Sequence, residues 1–240
     1  MQVLLLADGG GATRWAEKIN VQWRDIPTFL EMFPEGQVIH VFRDPRDVAA
    51  SYKKMTYEPW PAFLDAALNC KSAMQDLRMY RDTYGEDRVL LLNAEKLATD
   101  ISGQLELICS FLGEPFVSEM ANVENFGRLK GEEWRTNTSF GSDEKNYSQA
   151  QSRWRQHLSP EELFMTEMIC QPEMSEFGYF GSGQNLAVLD GSMIARILSD
   201  PWLGARLTEM LQTGRPVPGY RTNPYDTEMN IVFGPDREKF

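Results

Sequence analysis

The stretch QVIHVFRDPRDVAAS, residues 37–51, sets four charges around a proline directly after an apolar run. QVIHVF is short, rich in β-branched residues, and bounded by PEG before it and by DP after it, the pattern of a buried strand. Asp44 then reads as a helix N-cap, with Pro45 at the first helical position and Asp47 at the third. The Asp44 side chain satisfies an orphan backbone N–H, and both acids favour the positive end of the helix dipole. That accounts for the acids and the proline but not for Arg43. An arginine at the end of such a strand faces the crevice above the carboxyl edge of the sheet, where ligands bind in open α/β folds. Ser51 lies eight residues on, about two turns into the helix. Its hydroxyl and the Arg43 guanidinium can converge on one phosphate, for which the planar fork of arginine is well suited. On the residues alone a second reading stays open: Arg43 pairs with Asp47, and Ser51 is a neutral surface residue.

Working outward, RVLLLN (88–93) is a second strand of the same kind. Continuous apolar runs, rather than alternation, predict strands buried on both faces and hence a parallel sheet flanked by helices. Between the strands a helix is predicted from about Trp60 to Tyr84. Phe63, Ala67, Cys70, Met74, Leu77 and Tyr84 form its apolar stripe, and Gly85 is its C-cap. A further helix runs from about Ile101 to Leu112, with Ile101, Leu105, Ile108 and Leu112 on its core face and Gly113 closing it. Residues 121–148 show no steady period and read as a long ordered loop, a length that is uncommon without function. Ser159-Pro160-Glu161-Glu162 is a capping box that starts a helix reaching to about Gly178. SGQNLAVLDG is a linker, and short helices follow at Ser192–Leu198 and Trp202–Leu211 before an irregular end rich in Pro and Gly. The alternation of strand and helix predicts an α/β domain over 1–180, with a helical and irregular extension over 181–240.

Composition narrows the function. With 35 acidic against 24 basic residues the net charge is −11, which argues against general nucleic-acid binding. An anion site must then be a local basic pocket in an acidic protein. No apolar run reaches the roughly 18 residues of a membrane span, and MQVLLLADGG lacks the pattern of a signal peptide. Cys70, Cys109 and Cys170 all fall in predicted helices, and their odd number suits buried thiols in a reducing, cytoplasmic setting.

Several segments, in order along the chain, resemble those of one known family. EMFPEGQVIHVFRDPRDVAASYKKM resembles the 3′-phosphate-binding region of sulfotransferases that use 3′-phosphoadenosine 5′-phosphosulfate (PAPS). RWAEKINVQW (14–23) resembles that family's tryptophan-glutamate-lysine-threonine-proline segment. RVLLLNAEKLATD is similar to its strand and following turn, LELICSFLGEPF to its helix ending in phenylalanine-leucine-glycine, and SRWRQHLSPEELFMTEMICQPEMSEFGY to its closing tryptophan helix. The resemblance spans about Arg14 to Tyr179. It implies a P-loop NTPase-like sulfotransferase fold, PAPS as co-substrate, no metal, and an unidentified sulfate acceptor carrying a hydroxyl or amine. It further implies that Arg43 and Ser51 grip the nucleotide's 3′-phosphate, and that Lys18 stabilises charge on the transferring group. Arg153 and Ser139 stand where relatives place a basic residue and a serine around the nucleotide. Arg128 and Lys130 would complete the basic pocket. For these four the competing reading is surface solvation or a weak ion pair.

The chain also departs from the family. The first strand, the serine/glycine-rich phosphosulfate loop and the helix after it are not recognisable. GGGATR lacks the loop's arginine-serine-glycine-threonine order, and no Walker pattern is present. The sequence therefore reads as a sulfotransferase domain lacking its first strand–loop–helix unit. It is either an enzyme or a non-catalytic form that binds a 3′-phosphoadenosine nucleotide or a protein partner. Ile19-Asn20 replace the family's threonine-proline, and Ala94 replaces the tyrosine before Glu95. His40 reads as a packed strand residue and His157 as solvent-facing, so the general base is unassigned, with Glu17 a candidate. Glu95 reads as structural, and Trp154 as core or as a stacking platform.

Overall fold

The computed structural model describes residues 14–17, 23–56, 61–122, 152–183 and 190–219. The two predicted strands, β1 (Val38–Phe42) and β2 (Val89–Asn93), pair in parallel, Val38 against Val89 through Phe42 against Asn93. A short helix α1 (Ile26–Met32) precedes β1. Helices α2 (Pro45–Thr56) and α3 (Asp65–Tyr84) make the crossover between the strands, as a parallel pair requires. After β2 come α4 (Ala94–Thr99) and α5 (Ile101–Leu112), then α6 (Trp154–His157), α7 (Pro160–Cys170) and α8 (Glu173–Glu176). The hairpin of α9 (Gly191–Ser199) and α10 (Pro201–Thr213) completes the described chain. The fold is α/β: rich in helix, with a small parallel sheet.

The start and stop signals act as their chemistry dictates. Asp44 Oδ1 accepts the Arg46 N–H at 2.9 Å, so it caps α2. Gly85 ends α3 with φ 92°, and Gly113 ends α5 in the left-handed region at φ 69°. At α7 the Ser159 hydroxyl accepts the Glu162 N–H, while the Glu162 carboxylate accepts the Ser159 N–H, closing the capping box. Asp190 and Asp200 cap α9 and α10 in the same way. Gly204 lets α10 meet α9 closely, because a Cβ there would lie 2.6 Å from the Leu198 carbonyl oxygen.

Four expectations need correction. The strands are not buried on both faces: Val89 and Leu92 of β2 are buried, but β1 is half-buried and Val41 is 51% exposed. One face rests on α3, and the described sheet has two strands. The predicted core face of α5 is half-buried, and Cys109 is its one fully buried residue. The helix expected to reach Gly178 is interrupted at Gln171-Pro172, because a proline has no N–H to continue the ladder, and α8 is a separate turn. The crossover helix begins as a 3-10 turn at Ala62–Leu64 and becomes regular at Asp65.

Helix α3 is the axis of the molecule, touching α2, β2, α7, α8 and α10. Its apolar stripe was expected; the burial of its polar side was not. Asp65, Asn69, Lys71, Ser72 and Asp76 are all buried. The reason is that later elements cover them with partners, since a buried polar group needs one. Arg206 Nη1 and Trp202 Nε1 each donate to Asp65 at 2.6 Å. Lys71 Nζ donates to the Gln171 carbonyl at 2.8 Å and to Glu173. Trp23 Nε1 donates to Asp76 at 3.1 Å. The apolar core is equally shared: Ala49, Phe63 and Leu68 pack in one cluster with Ile169, Met174, Leu203 and Leu207. Helices α9 and α10 thus pack onto the same core as the elements before them. The three cysteines are free thiols. Burial pushes the Cys70 thiol up to about 12 and the Cys170 thiol well above its ordinary value, so both stay protonated and unreactive.

Candidate functional site at the carboxyl end of β1

Arg43 follows β1, and its side chain is one-third exposed. It lies between two carboxylates, with Nη2 3.8 Å from Asp47 Oδ2 and Nε 4.0 Å from Glu95 Oε1. These separations are at the outer limit of ion pairing, and each acid has shorter bonds elsewhere. Glu95 Oε1 accepts the Asp44 N–H at 3.0 Å and Oε2 accepts the Tyr179 hydroxyl at 2.6 Å. Asp47 Oδ2 accepts the Ser152 N–H at 2.9 Å and Oδ1 the Trp154 N–H at 3.0 Å. Glu95 therefore has the structural role read from the sequence. The pairing of Arg43 with Asp47, left open there, is present as a long contact.

Asp47 departs from expectation. It was assigned to the dipole of its own helix, but its carboxylate reaches across to the start of α6. Its side chain is only 1% exposed, so its charge requires donors, and the two amides supply them. Burial pushes this carboxyl above its ordinary range. The Trp154 amide, Arg43 and the Ser152 amide pull it back, and Asp44 adds to the rise. The segment it holds is conformationally demanding: Ser152 has φ 60°, a left-handed backbone that costs an L residue about 1 kcal/mol.

Asp47 and Ser51 are one helical turn apart and share a face of α2, and Arg43, just before the helix, approaches Asp47. Ser51 is half-buried there. Arg153 sits between the two residues whose amides bond Asp47, and so its backbone is carried to the same place. Lys53 Nζ donates to the His157 carbonyl at 3.1 Å and to Glu162 at 2.8 Å. His157 is half-buried rather than solvent-facing. Its imidazole is held below the ordinary value by burial first, then by the positive charges of Lys54, Arg153 and Lys53. Lys53, Lys54 and Arg153 thus lie close enough to His157 for their charges to act on it, in a protein of net charge −11.

Sequence reasoning missed Arg46. Its guanidinium is buried. It bonds both oxygens of Asp44, at 2.9 and 3.1 Å from Nε and at 2.7 Å from Nη2. It also donates to Glu167 at 2.9 Å and to the Phe180 carbonyl at 3.0 Å, and stacks 4.4 Å from the Trp154 ring centre. The second arginine of RDPRD was the signal, but its partners lie 121 and 134 residues away. Trp154 is buried in the core, with Arg155 4.3 Å from its ring. His40 is held near a pKa of about 4 by burial, which makes it a neutral strand residue. Glu17 is exposed.

Of the residues proposed from sequence, Arg43, Ser51 and Arg153 lie among the described residues: Arg43 approaches Asp47, Ser51 is one turn further along α2, and Arg153 lies in the turn that Asp47 bonds. Lys18, Arg128, Lys130, Ser139 and the glycine run at 9–11 lie outside the described residues, as does most of the predicted 121–148 loop. Among the described residues no cluster of His, Cys, Asp or Glu could hold a metal ion. None of their helices is long and apolar enough to cross a membrane.

A parallel strand pair joined by helices, with Arg43 where the first strand meets its helix, defines an α/β domain with a candidate anion site at that edge. Compared with known families, residues 2–119 match the Sulfotransferase family. The chain carries a sulfotransferase-family domain. The matched region begins before Arg14 and includes Arg43 and Ser51, while Arg153 lies beyond it. No curated protein matches the chain.

Proposed function

We propose that the chain transfers a sulfuryl group from PAPS to a hydroxyl or amine of a saccharide, peptide or small molecule. In this reading Arg43, Ser51 and Arg153 receive the 3′-phosphate of the nucleotide. One observation carries it: Arg43 at the carboxyl end of β1 and Ser51 on α2 stand on either side of Asp47, whose carboxylate also holds the turn bearing Arg153. A phosphate there offers arginine bidentate, charge-assisted bonds. Asp47 and Glu95 keep their own donors when it arrives, so no buried acid is left unsatisfied.

Sulfuryl transfer is an in-line displacement, and the protein contributes alignment and stabilisation of negative charge. Lys18 is assigned to charge on the transferring group, with Arg128, Lys130 and Ser139 in the nucleotide pocket. The test is the thermal shift of the whole chain with 3′,5′-bisphosphoadenosine against 5′-AMP. A ligand at a hundredfold excess over Kd stabilises the fold by about 2.7 kcal/mol. The expected result is a shift that depends on the 3′-phosphate and is lost in Arg43→Ala, a substitution at a partly exposed site. Equal shifts with both nucleotides, or none, would overturn the assignment. A 3′-phosphate-dependent shift without sulfuryl transfer to any acceptor would leave a nucleotide-binding protein.

A further inference from the structure

We propose that Asp47 is the positioning residue of the phosphate site, fixing the Ser152–Trp154 turn, and Arg153 with it, beside Arg43 and the α2 face that carries Ser51. The inference rests on the nucleotide reading above. Asp47 gives one carboxylate oxygen to each of two amides on either side of Arg153, at 2.9 and 3.0 Å. Bonds on both flanks fix the backbone of the residue between them more closely than one bond could. The donors lie 105 and 107 residues along the chain, so no local connection would otherwise set this register.

The turn is not self-supporting. Ser152 holds a left-handed backbone that a serine resists, and α6 has no side-chain cap from its own N-cap residue, Arg153. Asp47 supplies what both lack. The same carboxylate faces Arg43 at 3.8 Å, so one buried group orients cations from two distant segments. The groups acting on it are Arg43 from the end of β1, Asp44 from the start of α2, and the two amides of the turn. A carboxylate serving only the dipole of α2 would need neither the burial nor the amides.

The experiment measures Kd for 3′,5′-bisphosphoadenosine and for 5′-AMP by calorimetry. It uses the full chain and the variants Asp47→Asn, Arg153→Ala and their combination, each at a temperature where far-UV circular dichroism shows it folded. Asn keeps the size of Asp but removes the charge and turns one acceptor into a donor facing amide N–H groups. Asp47→Asn is expected to lower the preference for the 3′-phosphate about tenfold while leaving the 5′-AMP affinity within about twofold. Arg153→Ala is expected to do the same, and the double variant no more than the larger single effect, because the two act through one contact. A general loss of stability would move both nucleotides together. Unchanged preference in Asp47→Asn, or losses that multiply in the double variant, would overturn the positioning role alone. A wild-type chain without 3′-phosphate preference would overturn the nucleotide reading and this inference together. If Asp47→Asn does not fold, Asp47→Ser, which removes the charge without placing an amide donor there, is judged by the same outcomes.

Discussion

His40 shows how one strand residue can set the acid response of a fold. Burial lowers its pKa from 6.5 to about 4, whereas in the unfolded chain it titrates near its ordinary value. Between those values the unfolded state binds the proton and the native state does not, so this residue's contribution to stability is present above pH 6.5 and is lost as the pH falls towards 4. Urea unfolding should therefore find wild type less stable at pH 5 than at pH 7 by up to about 2 kcal/mol more than His40→Gln, which does not titrate. Identical pH dependence in both would rule out a neutral, buried imidazole. At this scale the sequence was informative about the cap at Asp44, whose partner is two residues away, and about Glu95 as a structural group that bonds backbone. It was silent on Arg46 and on the bonds of Asp47 to the 152–154 turn, because those partners are more than a hundred residues distant.

Among the elements, α7 allows its cap to be weighed against the ion pair it shares. Glu162 closes the capping box and also binds Lys53 at 2.8 Å, while Ser159 serves the box alone. Ser159→Ala should lower the free energy of unfolding by about 1 kcal/mol, and Glu162→Ala by more, since it also strands a half-buried lysine. Urea midpoints at unchanged slope would read both; a larger loss for Ser159→Ala would show the box, not the lysine, to dominate. Element starts and ends were legible because caps, proline and glycine act locally, as at Asp44-Pro45, Gly85, Gly113, Ser159-Pro160 and Asp200-Pro201. Burial was less legible. The runs VIHVF and VLLLN predicted strands covered on both sides, yet Val41 faces out, because a run of apolar residues does not reveal what will lie over it. The polar side of α3 misled in the opposite sense: Asp65, Asn69 and Lys71 look like solvent residues until partners from residues 171–219 are in place.

Across the whole molecule, those partners tie the last described helices to the first half of the chain. Arg206 is 5% exposed and joins Asp65, Asn69 and the Val217 carbonyl. Arg206→Leu removes the guanidinium from a fully buried acid and should destabilise the fold by about 3–5 kcal/mol. Arg78→Leu, which breaks a half-exposed pair with Glu176, should cost less than about 1 kcal/mol. Chemical denaturation of the two variants side by side checks this, and comparable losses would mean that the C-terminal helices are only loosely joined to the core.

This arrangement has a consequence for synthesis on the ribosome. Proteins are made from the N-terminus, and domains fold as units once their parts have emerged. Here α3 appears early, carrying an acid, an amide and a lysine destined for the interior, while the groups that satisfy them are made a hundred residues or more later. Until then each of those side chains keeps its water, and the helix cannot settle into its final surroundings. The core around α3 can close only once α9 and α10 have been made.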